Sequence, residues 1–326
     1  LLFSSLACTA TAAADKPHRP VKYARFQING SVWFGIVEAE RVRQLSGDLF
    51  GEWEKTDKTY LLSDVQLLAP TQPRHVFSMA GNYKSHIGDE KTISKTTTTV
   101  TTVTTDPTTN ESTTETTTTE ETRVGGQIPP KLQTPQPFFK SPSSIIPHGG
   151  NIVIPGHADV VHYEAEMVIV MGQRATRVSK SDALDYVLGV TCGNDVSARK
   201  WQSGDVQWWR AKGSDTFGPC GPFVVAGIDY DDLMITLRLN GEVKQQESTS
   251  NLIHDVASTV SFISQHITLE PGDLIFTGTP GKTSPINPGD VVEVEIDGVG
   301  VLRNSVVAQN VLADANLETL WEEGGF

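Results

Sequence analysis

The chain has 326 residues, with 26 Lys and Arg against 39 Asp and Glu, a net charge of −13, and 38% hydrophobic residues. That is enough core for one large or two modest domains, and the acidic surplus argues against nucleic acid or an anionic membrane as a partner. Its three cysteines, Cys8, Cys192 and Cys220, are too few and too scattered for a disulfide framework or a zinc knuckle, although a Cys192–Cys220 bridge stays open if the protein is exported.

Residues 1–16 begin apolar and pass through Ala12-Ala13-Ala14, a step like a signal-peptidase site. They are expected to be a signal-like leader on an exported or periplasmic protein, with a disordered leader on a cytoplasmic one as the alternative. No apolar run is long enough for a membrane span. Residues 17–75 read as a small N-terminal β module, because residues 23–44 alternate apolar and polar side chains about an Asn29-Gly30 turn. The stretch 92–124 is dominated by Thr and offers no face to bury, so it is expected to be a low-complexity, solvated insertion. Asn110-Glu111-Ser112 and Asn29-Gly30-Ser31 fit the N-glycosylation pattern, which also arises by chance. The remainder of 76–305 forms the larger body, with strands expected at 151–154, 162–171, 189–192, 274–277 and 291–296. A hairpin is expected at Asn240-Gly241, helices at 181–188 and 253–266, and a C-terminal tail at 306–326. Strands with occasional helices, 28 Gly, 18 Pro and no regular βαβ alternation predict a β-rich α+β fold.

Glu164 and Glu166 lie two residues apart in a segment that continues into Met167-Val168-Ile169-Val170, so strand geometry puts both on one face. An isolated pair of this kind on an edge strand is a solvated charge pair. The apolar continuation argues for enclosure, and two like charges enclosed together need a cation, for which hard oxygen ligands select Mg²⁺, Mn²⁺ or Ca²⁺. Asp195 offers a third carboxylate, although alone it reads as a turn or cap residue. Arg199 and Gln202 beyond it could hold a substrate carboxylate or serve as structural partners. Lys212 sits in a glycine-containing loop, either as a surface lysine or to stabilise developing negative charge. His86, with Asp89 three and Glu90 four residues further on, has the helical spacing of an oriented general base, which is equally the spacing of an ordinary surface pair.

Taken together, these segments resemble the fumarylacetoacetate hydrolase family, in particular its 2-hydroxyhepta-2,4-diene-1,7-dioate isomerase and acylpyruvase-like members. The motifs occur in order: Asn82-Tyr83-x-x-His86, Phe139-Lys140-Ser141-Pro142, Tyr163-Glu164-x-Glu166, Asn194-Asp195-x-x-x-Arg199, Lys212-Gly213-x-Asp215-Thr216 and Thr277-Gly278-Thr279-Pro280. The resemblance implies a mixed β fold of layered sheets, a homodimer, and one Mg²⁺ or Mn²⁺ (or Ca²⁺) held by Glu164, Glu166 and Asp195. It also implies a lid carrying His86, which activates water with help from Asp89 or Glu90. Lys212 is then expected near the reacting carbonyl, and Tyr83, Lys140, Arg199, Gln202 and Thr279 around a small oxo-acid substrate. The implied reaction is hydrolysis of a carbon–carbon bond in a 1,3-diketone acid of the fumarylacetoacetate or acylpyruvate type, through an enolate held at the metal. Isomerisation, decarboxylation or ureidoglycolate-lyase-like chemistry could use the same site, and an exported binding protein that has lost turnover is the non-catalytic alternative. The chain departs from the family where the Thr-Gly-Thr-Pro loop, usually followed by a glycine-rich step, runs into Gly281-Lys282-Thr283-Ser284-Pro285.

Overall fold

Asn29 and Gly30 take φ values of 49° and 77°, the two positive dihedrals of a tight hairpin turn, and so join strand Val21–Ile28 to strand Ser31–Glu38. This is seen in a computed structural model that describes residues 19–87, 94–105, 112–123, 128–158 and 160–309. The leader, Cys8, Asp89, Glu90, Asn110 and the tail from residue 310 lie outside the described residues. The meander continues through Arg41–Gly47 and Trp53–Leu61. It does not stand apart from the body, because Val21–Tyr23 pair antiparallel with Val224–Ala226 of strand Gly218–Ala226.

One twelve-stranded sheet results. Beyond Gly218–Ala226 it runs through Val187–Asn194, Ala165–Met171, Leu274–Phe276, Val76–Met79 and Pro137–Lys140. A second, five-stranded sheet is ordered Asn151–Ile154, Gly300–Ala308, Val291–Ile296, Met234–Leu239 and Glu242–Ser248. The layered, β-rich α+β architecture expected from the sequence is therefore present. The run Met167-Val168-Ile169-Val170-Met171 is continuous because both faces of its strand are buried. Met167, Ile169 and Met171 enter a core shared with Ile235, Leu237, Val292 and Val294 of the second sheet and with Val256, Val260 and Ile263 of helix Val256–His266. Val168 and Val170 enter a separate core with Tyr23, Val224, Leu274 and Phe276.

Several local expectations are corrected. Residues 181–188 are not an α-helix: a 3₁₀ turn at Ala183–Tyr186 leads directly into strand Val187–Asn194, whose β-branched and glycine-containing sequence fits an interior sheet position. The strand expected over 162–171 is interrupted, with Val161–His162 pairing with Ser197–Ala198 and the main strand beginning at Ala165. The Thr-rich stretch contains an antiparallel pair, Ser94–Thr105 with Ser112–Arg123, joined to no third strand among the described residues. Thr is β-branched and favours extended backbone, and the side chains of Thr101, Thr102, Thr114 and Thr116 are exposed. Cys192 and Cys220 are free thiols. Cys220 sits opposite Gly193 in the strand register, one place from Cys192, and the two side chains lie in different cores on opposite sheet faces, which excludes the bridge. Among the described residues, no helix is long and apolar enough to cross a membrane.

Candidate active site

The site is built where the ends of the paired strands Ala165–Met171 and Val187–Asn194 meet the loop that follows strand Leu274–Phe276. Glu164 and Glu166 flank Ala165, the first residue of strand Ala165–Met171, and Asp195 follows the last residue of strand Val187–Asn194, which pairs with it. Backbone and side chain lock the two segments together. Asp195 N donates to Glu164 O (2.9 Å) and Glu164 N donates to Asn194 Oδ1 (2.9 Å). One carboxylate oxygen from each of Glu164, Glu166 and Asp195 lies within 4.8 Å of the others, and all three side chains are buried.

Three cations surround this trio unevenly. Lys212, on the short helix Trp209–Gly213, reaches Glu164 Oε2 at 2.6 Å and Asp195 Oδ2 at 2.7 Å. Lys140, at the end of strand Pro137–Lys140, reaches Asp195 Oδ1 at 2.6 Å and also donates to the carbonyls of Lys212 and Phe217. Gly213 allows this approach, because a Cβ there would stand 2.9 Å from Ser141 N. Arg199, at the start of helix Arg199–Gly204, places Nη2 2.7 Å from Glu164 Oε1 and 2.7 Å from Thr283 Oγ1, while Nη1 donates to Gln202 Oε1 at 2.7 Å. Glu166 has no ion-pair partner among the described residues; its Oε2 accepts from Gly278 N at 2.6 Å. Gly278 itself has φ 103° and lies so close to the segment leading to His86 that a Cβ would meet Asn82 Cβ at 2.8 Å.

The ionisation pattern follows from this asymmetry. Burial pushes Glu164 up, but Lys212, Arg199 and His86 more than offset it and hold the carboxyl at about 2. Glu166 is raised well above the usual carboxylate value by burial, and then by the negative charges of Asp195 and Glu164. For Lys212, burial lowers its pKa, yet Asp195 and Glu164 raise it beyond the ordinary lysine value, so it stays an ammonium. A carboxylate buried against two others, with no cation of its own, fits a divalent ion shared by all three, and an all-oxygen donor set is the kind that Mg²⁺, Mn²⁺ or Ca²⁺ takes.

The segment carrying His86 lies against the loop that follows strand Leu274–Phe276. Asn82 Nδ2 donates to the carbonyls of Thr277 (2.8 Å) and His254 (3.0 Å), and Ser85 Oγ accepts from Gly281 N at 2.9 Å. His86 Nδ1 lies 2.7 Å from Gly281 O. A carbonyl only accepts, so Nδ1 carries the proton, and a neutral His86 keeps its lone pair on Nε2. Tyr83 is fully buried, with no hydrogen-bond partner for its hydroxyl among the described residues, and burial, then Glu247 and Glu166, raise its pKa.

The structure thus brings together Tyr83, His86, Lys140, Glu164, Glu166, Asp195, Arg199, Gln202 and Lys212. Two residues expected at the substrate have other partners. The ammonium of Lys140 is wholly enclosed and engaged with Asp195 and two carbonyls, so it orients a carboxylate. Thr279 is buried, and its hydroxyl accepts from Gln245 Nε2 at 3.0 Å. Sequence reasoning missed Ser78, which donates to Asp195 Oδ2 at 3.0 Å, and Gln245, whose Oε1 accepts from Ala165 N at 3.1 Å. The signal for Ser78 is a lone hydroxyl in the buried run Val76–Met79; no comparable signal marks Gln245.

Residues 110–307 match the family described as fumarylacetoacetate (FAA) hydrolase C-terminal, and residues 21–70 match Rv2993c-like, N-terminal. The chain is 38% identical over 268 residues to protein Rv2993c of Mycobacterium tuberculosis, covering 81% of this chain and 87% of that protein. It is 37% identical over 190 residues to the mitochondrial oxaloacetate tautomerase FAHD2A of Bos taurus, covering 55% of this chain and 60% of the relative. A crystal structure of 2-hydroxyhepta-2,4-diene-1,7-dioate isomerase from Mycobacterium marinum superposes with a TM-score of 0.72 at 35% identity, covering 89% of this chain and 99% of that one.

Proposed function

Because the chain belongs to the fumarylacetoacetate hydrolase family of enzymes, we propose that it is a divalent-metal-dependent enzyme of small oxo-acids that hydrolyses a carbon–carbon bond of a 1,3-diketone acid. The observation that supports this most is the buried convergence of Glu164, Glu166 and Asp195 beside Lys212. Mg²⁺ or Mn²⁺ held by the three carboxylates supplies a Lewis acid and a template for a 2-oxo acid. Lys212 spends two of its three donors on Glu164 and Asp195, leaving the third for negative charge that collects on the substrate oxygen as the bond breaks. His86 takes the proton of the attacking water at Nε2, with Nδ1–H held by Gly281 O so that the ring cannot turn away. Arg199 and Gln202 form the polar edge at which a substrate carboxylate docks.

A second reading is tautomerisation or isomerisation of the same class of acid. It is supported by the names of the tautomerase and isomerase relatives. It is also supported by His86, which among the described residues is backed by a carbonyl rather than a carboxylate and so suits proton shuttling.

The test is to strip the protein with EDTA, restore Mg²⁺ or Mn²⁺, and follow pyruvate release from acylpyruvates alongside enol–keto conversion of oxaloacetate. Ion-dependent pyruvate release is expected; conversion without release selects the second reading, and no ion-dependent change in either assay overturns both. His86→Ala is expected to lower turnover by roughly 10²–10⁴-fold and to leave Mn²⁺ affinity intact. Equal loss of both would make His86 structural.

A further inference from the structure

The loop at residues 281–286 is fastened from outside to the segment that carries Glu164. Four contacts hold it. Thr283 Oγ1 accepts from Arg199 Nη2 at 2.7 Å and lies 2.8 Å from His162 Nδ1. Ser284 Oγ lies 2.8 Å from Tyr163 OH, and Ile286 N donates to Val161 O at 2.8 Å. His162 and Tyr163 are the two residues preceding Glu164. The loop is therefore stitched to the segment that delivers the first carboxylate, and within it the Thr283 side chain reaches a charged group of the site, Arg199. The guanidinium of Arg199 is held by Glu164, Gln202 and Thr283. Its Nη2 sits between Glu164 Oε1 and Thr283 Oγ1, and its side chain retains 23% exposure, enough room for the guanidinium to swing if one of its acceptors is lost.

We propose that Thr283 is a positioning residue, whose hydroxyl sets the Arg199 guanidinium against Glu164 and thereby fixes the direction from which an oxo-acid carboxylate is received. In the same loop Gly281 O accepts from His86 Nδ1–H, so one segment fixes both the base and the carboxylate-binding arginine. Backbone alone can make the contact to His86, whereas the contact to Arg199 needs a side-chain hydroxyl, which Thr283 supplies. The proposal rests on Glu164 being a cation ligand and Arg199 a substrate contact, and it adds the residue that governs their alignment.

Thr283→Val removes the acceptor while keeping the branched shape, and the Ser284–Tyr163 and Ile286–Val161 contacts keep the loop in place. Thr283→Ser restores the hydroxyl. With Mn²⁺-loaded protein, oxalate, an inert dicarboxylate, serves as the calorimetric probe. Losing a hydrogen bond to a charged group should weaken oxalate binding by about ten-fold in Thr283→Val. Mn²⁺ affinity should change by much less than oxalate affinity, and Thr283→Ser should bind oxalate as the wild type does. In an Arg199→Gln background, Thr283→Val should have no further effect, because the coupling runs through the arginine.

Equal oxalate affinity in wild type and Thr283→Val, or the same additional loss in both backgrounds, overturns the proposal. A second arm does not depend on metal or turnover: a crystal structure of metal-free Thr283→Val should show Arg199 displaced from Glu164. An arginine unmoved there overturns the proposal even if the wild type proves to bind no ion, which is a failure of the functional reading instead.

Discussion

Lys140 and Asp195 form an ion pair with almost no solvent contact, their side chains 0% and 1% exposed. Burial pushes the Lys140 pKa down and the adjacent Asp195 charge resists the shift. Removing one partner of such a pair leaves the other charge unmatched, at a cost on the order of 3–5 kcal/mol. Lys212 still pairs with Asp195 in Lys140→Met, so this variant is expected to lower unfolding free energy by less, about 1–3 kcal/mol, in urea melts of the metal-free protein, and Lys140→Met with Asp195→Asn by less again. A loss in the single variant no larger than that of an ordinary surface substitution would contradict this assignment. The carboxylates were legible in the sequence because two of them obey the strand period and the third follows a strand end. Lys140 was legible as a motif member but not in its role, which arises from a contact across 55 positions of chain that no local pattern encodes. Ser78 and Gln245 were hidden for the same reason. Asp89 and Glu90, named as assistants to His86, lie outside the described residues, while the carbonyl that does hold His86 belongs to a loop 195 positions away.

At the scale of elements, helix Val256–His266 shows how much a local signal can carry. Asp255 caps it, accepting from Ser258 N at 2.7 Å, with Lys180 Nζ 2.8 Å from its other oxygen. Partial burial pushes the Asp255 carboxyl up, but Lys180 and Ser258 outweigh it and hold the pKa below the usual aspartate value. Its stabilisation is thus complete above the unfolded pKa and is lost as pH falls through the lower folded value. Asp255→Ala should cost about 1 kcal/mol near neutral pH, with the gap to wild type closing below about pH 4. A gap that does not change with pH would argue against the charged cap. The expected helix at 181–188 failed because Val187 and Leu188 already belong to strand Val187–Asn194 and pack against opposite cores, where consecutive apolar residues do not separate strand from helix.

The Thr-rich pair Ser94–Thr105 with Ser112–Arg123 lies outside both large sheets, and a lone two-stranded ribbon is marginal in water. Replacing residues 92–124 by a short Gly-Ser link should leave the thermal midpoint of the body within about 2 °C of wild type. A large drop would mean that the insertion supports the fold.

Across the whole molecule, the site draws on segments near residues 86, 140, 164, 195, 212 and 283, which the twelve-stranded sheet and its loops gather at one place. The layered β-rich architecture was readable from alternation, turns and motif order. The pairing of the N-terminal meander with strand Gly218–Ala226 was not, since strand partners far apart in sequence leave no local trace. Everything proposed for the chemistry depends on Glu164, Glu166 and Asp195 acting together as one cation site. Calorimetric titration of Mn²⁺ into the EDTA-stripped full chain tests this most directly, with wild type and Glu166→Ala compared side by side. One ion per wild-type chain and loss of that binding in Glu166→Ala are expected; a wild type that binds no ion, or a variant that binds as tightly, would contradict the account.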